Sequence, residues 1–375
     1  MTQHTRTENI QNKDTQPGQK ELQCALIGAG RMGQAHANVL SGVKGVRITW
    51  VMDLNAENAR RVAAQLGAQA STSLEEVLSQ PDVQAVLIST PAGTHADTIE
   101  AAARSGKAIF SEKPLAKTLE DGVRAVKAVQ AAGVPNQVGF QRRYDPACVA
   151  AKAKIDAGDL GKLEGFRAVG RDPEPPPTEY LVGAGGLLVD MGGHDLDLAR
   201  FLVGEVAEVR AIGGALVKPE LADHQEHDTA VALLRFENGA LGTLEVGLRT
   251  AYGYDIRTEV LGEKGRLHIE RDKQPDLSVY DAAGVHHDRP RHFSERFPEA
   301  YAAEIRAFAT GVLEGRALTP DVHDALHSLR LGLAAQHALV SGETVRVQDF
   351  GREVMAQVGA ARMGTAQMKT VTEPV

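Results

Sequence analysis

An apolar run, Leu22 to Ile27, meets the stretch Gly28-Ala29-Gly30-Arg31-Met32-Gly33, and a helical pattern continues from Arg31 to Leu40. Strand, glycine loop and helix in that order open a doubly wound parallel sheet when an acidic residue ends the next strand about twenty residues on. Asp53 stands there, directly after the run Val46 to Met52. The glycines serve different ends. Gly28 allows a tight turn, Gly30 the close approach of a pyrophosphate, and Gly33 helix packing. Free N–H groups at the helix start favour that anion. Ala29, Arg31 and Met32 complete the loop. A carboxylate at Asp53 suits a ribose 2′-hydroxyl and repels a 2′-phosphate, and neither Leu54 nor Asn55 supplies a cation. The expected cofactor is NAD.

The alternation continues along the chain. Asn55 to Leu66 reads as a helix, and Ser73-Leu74-Glu75-Glu76 as a capping box opening a short one. Val83 to Ile88, Ala108 to Ser111 and Pro135 to Val138 read as strands, with a helix from Thr118 to Ala132. Such alternation implies parallel pairing. After Arg143 the texture changes. A helix (Pro146 to Ala157) leads to a strand (Leu163 to Gly170), a proline-rich loop (Asp172 to Pro177) and a helix from Asp190 to Val203. Glu237-Asn238-Gly239 signals a hairpin between Ala230–Phe236 and Ala240–Leu248. Helices follow at Pro298 to Leu313 and Val322 to Val340. The expected fold is an α/β Rossmann domain at 21–143, its sheet doubly wound and parallel. An α+β substrate and oligomerisation domain at 144–357 follows, with a large, mostly antiparallel open sheet. Residues 1–20 and 358–375 read as a disordered and a flexible tail.

A chain of 375 residues suits two cores, and 43% hydrophobic residues can fill them. A net charge of −8 and only 4% aromatic residues exclude the basic face and stacking platform of a nucleic-acid binder. Cys24 and Cys148 are too few for a disulfide scaffold and fit a reducing compartment. The first twenty residues show no apolar signal-peptide core, and no run nears the roughly 20 apolar residues of a membrane span. A soluble, cytoplasmic protein is expected.

Three further segments carry chemistry. Thr90, Pro91 and His95 follow the strand ending at Ile88, on the ligand edge of the sheet, where Thr90 and His95 are candidates to touch the nucleoside. Lys113 in Glu112-Lys113-Pro114 ends another strand; Pro114 holds it out of the helical region and admits a cis bond. Its ammonium can favour a developing alkoxide. Asp190 and His194 lie four apart, on one face of the expected helix. His194 is the expected base for a hydroxyl proton, oriented or charged by Asp190, with Asp197 an alternative holder of the ring. Together these groups suit a dehydrogenase acting on a secondary alcohol. His286, His287 and His292 read as an exposed loop rather than a metal site, and His323 and His327 as surface residues.

From Gln23 to Val347 the chain resembles the glucose–fructose oxidoreductase/inositol dehydrogenase family, most closely its inositol 2-dehydrogenase branch. The resemblance is carried by Gly28 to Gly33, Glu112-Lys113-Pro114, Gly139-Phe140-Gln141-Arg142-Arg143-Tyr144-Asp145, Arg171 to Pro177, Asp190 with His194, and Tyr252-Gly253-Tyr254-Asp255. It implies that Lys113, Asp190 and His194 form the catalytic set, that no metal is used and that the substrate is a cyclitol or sugar. It also implies a homo-oligomer, a tetramer or dimer, associating through the second-domain sheet. Glu112 and Arg142 join the cofactor residues, and Arg142, Arg143, Asp172, Tyr252 and Tyr254 are expected near the polyol. One departure is Gly192-Gly193, where the branch usually carries a bulkier pair; the missing side chains are expected to widen the pocket. The leading expectation is oxidation of a cyclitol hydroxyl, such as myo-inositol to its 2-ketone. An NAD-dependent sugar dehydrogenase is the alternative, and an NAD-using glycosidase or a binding protein without chemistry ranks lower.

Overall fold

The computed structural model describes residues 21–273 and 277–358. The two expected tails lie outside the described residues, apart from Val358. Six strands form the first sheet: β1 (Leu22–Ile27), β2 (Val46–Met52), β3 (Gln69–Ser71), β4 (Ala85–Ile88), β5 (Ala108–Glu112) and β6 (Asn136–Gly139). They pair in parallel in the order β3-β2-β1-β4-β5-β6. Burial on both faces explains their near-continuous apolar sequences; Leu26, Val86 and Ile109 are each fully enclosed. The helices between them are α1 (Arg31–Leu40), α2 (Ala56–Leu66), α3 (Leu74–Leu78), α4 (His95–Arg104) and α5 (Leu119–Ala132). Asn55 and Thr118 cap α2 and α5 through their side chains. The capping box closes only on one side: Ser73 accepts from the Glu76 N–H, while Glu76 takes the Ser71 hydroxyl.

The second region begins with α6 (Pro146–Asp156), β7 (Leu163–Arg171) and three short helices, α7 (Thr178–Gly183), α8 (Leu187–Asp190) and α9 (Gly193–Leu202). The strands β8 (Val206–Gly214), β9 (Thr229–Phe236), β10 (Leu241–Gly247), β11 (Asp255–Gly262) and β12 (Gly265–Glu270) follow, then a small hairpin, β13 (Val279–Asp281) and β14 (Gly284–His286). The chain closes with α10 (Phe293–Arg296), α11 (Pro298–Glu314), α12 (Val322–Ser341) and β15 (Val345–Arg346). The large sheet runs β12-β11-β7-β10-β9-β8-β15. Its pairs are antiparallel except β7 with β10. The expected hairpin forms at Asn238-Gly239, with Gly239 at φ 90°.

One face of this sheet is sealed by α9 and α12 through Leu196, Leu198, Leu234, Leu244 and Ala335. The other leaves Ile212, Leu233, Leu241 and Leu261 exposed. The late helices also serve the first sheet. Ile305 and Phe308 of α11 share a core with Leu26 and Phe110, and Leu326 and Leu329 of α12 share one with Ile109 and Val126. The helix expected from Asp190 to Val203 is two helices. Met191 and Gly192 separate α8 from α9, with Gly192 packed so closely that a Cβ would lie 3.1 Å from Leu188. Glycine's poor helix propensity makes it a natural junction.

Candidate active site

At the carboxyl edge of the parallel sheet the glycine loop is shaped by what each residue lacks. Gly28 has φ 96°, and a Cβ there would come within 2.8 Å of the Ser89–Thr90 backbone. A Cβ on Gly33 would collide with the Gly28 carbonyl. Around a Cβ placed on Gly30 nothing lies within 4 Å among the described residues, so the backbone is open to a ligand. Asp53 faces the loop: Oδ2 accepts from Ala29 N at 2.7 Å and Oδ1 from Asn55 N at 2.8 Å. Thr90 sits at the rim and accepts the Thr94 hydroxyl at 2.9 Å. Pro91 is exposed beside it.

Two residues expected as cofactor contacts serve the scaffold instead. His95 is 1% exposed, its ring wedged between the carbonyls of Pro114 (Nδ1, 2.7 Å) and Thr90 (Nε2, 2.8 Å). It therefore faces neither solvent nor the cleft, and burial pushes its imidazole below the ordinary range. It braces the turn at Lys113–Pro114, whose peptide is cis. Glu112 is also buried: Oε1 bonds His36 Nε2 at 2.6 Å and Oε2 accepts from Lys113 N at 3.2 Å. Only its backbone remains for a cofactor.

Lys113 Nζ donates to Asp190 Oδ1 at 3.0 Å and to the Asp190 carbonyl at 2.6 Å. Burial opposes both charges, but each stabilises the other. The ammonium is held above and the carboxylate below its usual value. This corrects the expectation that Asp190 orients His194; its partners are Lys113 and Tyr180. The Tyr180 hydroxyl donates to Asp190 Oδ2 at 3.2 Å. Sequence reasoning missed Tyr180 because α7 is too short to carry a periodic signal and lies ten residues from its partner.

His194, in the first turn of α9, packs edge-to-face on Phe140, ring centres 6.3 Å apart. Burial, then the Lys113 and Arg142 charges, push its imidazole well below the ordinary range, so it is neutral near pH 7. Its Nδ1 is buried without a partner among the described residues. Asp172, on the same side, is raised to about 6 by burial against the counter-pull of Arg31 and with Asp190 adding to the rise. Tyr254 is buried near Arg142 and Asp172, its phenol pushed up by burial.

The remaining expected residues lie elsewhere. Arg142 is buried and ion-paired with Asp195, so it reaches the site through its charge on His194. Arg143 grips Asp197 with two bonds (2.6 and 2.8 Å) and Asp324 with a third. Asp197 therefore does not hold the His194 ring; it accepts from Arg143 and from Ser328. Tyr252 is half exposed, its hydroxyl donating to Asp255 and accepting from Arg171. Gly193 borders a cavity of about 10 Å³ behind Lys113, lined also by Phe140, Val189, Ser328 and Leu329. A Cβ built on Gly193 meets no atom within 4 Å among the described residues, so the missing side chain leaves open space at this position. His286, His287 and His292 each pair with a separate carboxylate, Asp281, Asp272 and Glu295. His323 and His327 are half-buried on α12.

Residues 22–140 match the "Oxidoreductase family, NAD-binding Rossmann fold", and residues 148–268 the "GFO/IDH/MocA C-terminal domain". The chain belongs to the Gfo/Idh/MocA oxidoreductases. It is 38% identical to the scyllo-inositol 2-dehydrogenase (NAD(+)) of Bacillus subtilis, over 87% of this chain and 96% of that protein. A crystal structure of a putative myo-inositol dehydrogenase from Sinorhizobium meliloti superposes with TM-score 0.84 at 34% identity, covering 87% of this chain and 99% of the other. The scyllo-inositol dehydrogenase of Lactobacillus casei, solved with NAD(H) and scyllo-inositol, gives TM-score 0.81 at 28% identity, covering 88% and 99%. As a Gfo/Idh/MocA member the chain is an NAD-dependent oxidoreductase. The open backbone at Gly30 and the carboxylate of Asp53 fit that dinucleotide. No described helix is long and apolar enough to cross a membrane.

Proposed function

We propose that the enzyme oxidises a secondary hydroxyl of a cyclitol, such as myo- or scyllo-inositol, to the ketone. The observation that carries the reading is the Lys113–Asp190 ion pair, 3.0 Å long, with the His194 imidazole near the Lys113 charge and its Nδ1 unpartnered among the described residues. NAD, when bound, accepts the hydride from the carbinol carbon. Gly28 to Gly33 would hold its pyrophosphate, Asp53 its ribose, and Thr90 would line the same edge. His194 takes the hydroxyl proton, which its depressed basicity permits because the imidazole starts uncharged. Lys113 donates to the reacting oxygen and favours its alkoxide character. Asp190 keeps that ammonium charged and aimed. Asp172 and Tyr254 offer polar groups to the other hydroxyls. The names of the similar proteins support a cyclitol; a pyranose, with hydroxyls on a ring of the same size, is the alternative.

The exposed apolar face of the large sheet supports a homo-oligomer built on it, with a second copy covering Ile212, Leu233 and Leu241. The two free, buried cysteines suit a cytoplasmic enzyme. To test the reading, purified protein is mixed with NAD and separately with myo-inositol, scyllo-inositol, chiro-inositol and glucose, and NADH absorbance is followed. NADH with a cyclitol, lost in Lys113→Ala and His194→Ala, supports it. NADH with glucose alone moves the substrate to sugars. Silence across the panel with NAD bound overturns the cyclitol reading and its sugar alternative.

A further inference from the structure

The segment between β7 and α8 passes over the Lys113–Asp190 pair, and its two ends are unlike. On one side stand Pro173, Pro175, Pro176 and Pro177, which fix φ and stiffen the chain. On the other, Gly185 and Gly186 both have positive φ, 92° and 107°. Between them, α7 is held to the second region by buried Leu181 and by Thr178, which accepts from Lys218 and donates to Glu220 at 3.1 Å each. Tyr180 of α7 makes two contacts in different directions. Its hydroxyl donates to Asp190 Oδ2, the oxygen that Lys113 leaves free. Its ring centre lies 5.6 Å from the guanidinium carbon of Arg31, which is also 5.5 Å from the ring of Phe293. Arg31 belongs to the glycine loop. One side chain thus joins the loop that receives the cofactor to the carboxylate that aims the lysine.

We propose that Tyr180 is a positioning residue for the reaction: its hydroxyl orients Asp190, and its ring, latched on Arg31, holds the 172–186 segment closed over the cleft. The inference rests on the reading that Lys113, Asp190 and His194 carry the oxidation. Cation–π contacts and charge-assisted hydrogen bonds of this kind strengthen as water leaves a closing site.

Three variants separate the two contacts. Tyr180→Phe keeps the ring and removes the hydroxyl. Its kcat with scyllo- or myo-inositol is expected to fall about tenfold, the size of a lost bond to a charged group. Its NAD affinity by calorimetry is expected to stay unchanged. Asp190 then keeps Lys113 and Arg31 on one side against Asp172 on the other, so its carboxyl titrates higher and the acid limb of the kcat profile moves up. Arg31→Met and Tyr180→Leu release the latch. Proteolytic cleavage within 172–186 is expected to quicken several-fold in both and to stay at the wild-type rate in Tyr180→Phe.

A wild-type kcat and pH profile in Tyr180→Phe would overturn the orienting role, and unchanged cleavage in Arg31→Met and Tyr180→Leu would overturn the latch. The cleavage assay needs no turnover. If no polyol yields NADH, the functional reading fails while the latch is still decided.

Discussion

Two charged clusters stand on one short stretch of chain, Asp190 to Asp197, and they behave differently. On the inner side Asp195 and Asp197 are buried against Arg142 and Arg143, with Asp324, Arg200 and Glu205 extending the network. Nearly every charge there is matched by a neighbour of opposite sign. Gly170 has no side chain where Asp195 needs room: a Cβ would lie 2.7 Å from Asp195 Oδ2. On the outer side Asp190 and His194 are only partly buried. His194 Nδ1 has no partner among the described residues, and Lys113 retains a third ammonium proton after its two bonds to Asp190. A fully buried, ion-paired cluster holds helices together, whereas groups that keep some exposure can bind a ligand and move a proton. The same residue types serve both ends, and exposure divides them.

The sharpest way to break that division is Arg143→Ala. It strands Asp197 in the interior, where an unpaired charge costs on the order of 3–5 kcal/mol. Thermal unfolding followed by circular dichroism should show the loss, with NADH turnover per folded molecule retained. Lys113→Ala should do the reverse. Removing the cation bonded to Asp190 is expected to lower kcat/KM by roughly 10²–10³-fold, with a smaller fall in unfolding temperature than in Arg143→Ala, because Asp190 keeps the Tyr180 hydroxyl and some exposure to water. A smaller effect concerns pH. A cationic acid with a lowered pKa is neutral over a wider range, so kcat/KM should stay flat through neutrality. It should fall about tenfold per unit only below the ordinary histidine range of about 6.5. A limb centred at or above that range would show that His194 is not the base. The smallest change is Gly193→Ala. No described atom lies within 4 Å of the added Cβ and the backbone is helical. Stability should rise by about 0.5–1 kcal/mol with selectivity among polyols unaltered.

The glycine loop and the strands and helices flanking it are legible almost residue by residue in the sequence, because their signals are local. A glycine's φ, a strand buried on both faces and an Asn or Thr cap are each set within a few residues. Leu22–Ile27, Arg31–Leu40 and Val46–Met52 fall where the pattern puts them. The proposed catalytic residues are legible in composition but less so in connection. Lys113 bonds Asp190 and its charge reaches His194, while Asp190 pairs with Lys113 and Tyr180 rather than with His194. Asp197 and Arg143 look equally chemical until α12 supplies Asp324 and Ser328 from more than a hundred residues away. His95 and Glu112 mislead for the same reason. Their partners, the Pro114 carbonyl and His36, are set by the tertiary fold and not by spacing along the chain.

The most direct measurement compares His194→Ala with Asp197→Asn, each assayed for NADH formation from scyllo-inositol and for unfolding temperature. The account predicts that His194→Ala binds NAD and keeps the wild-type unfolding temperature but loses turnover. Asp197→Asn should lose several degrees while its folded fraction turns over normally. If His194→Ala oxidises the polyol at the wild-type rate, or Asp197→Asn abolishes turnover without loss of stability, the division between the two faces is wrong.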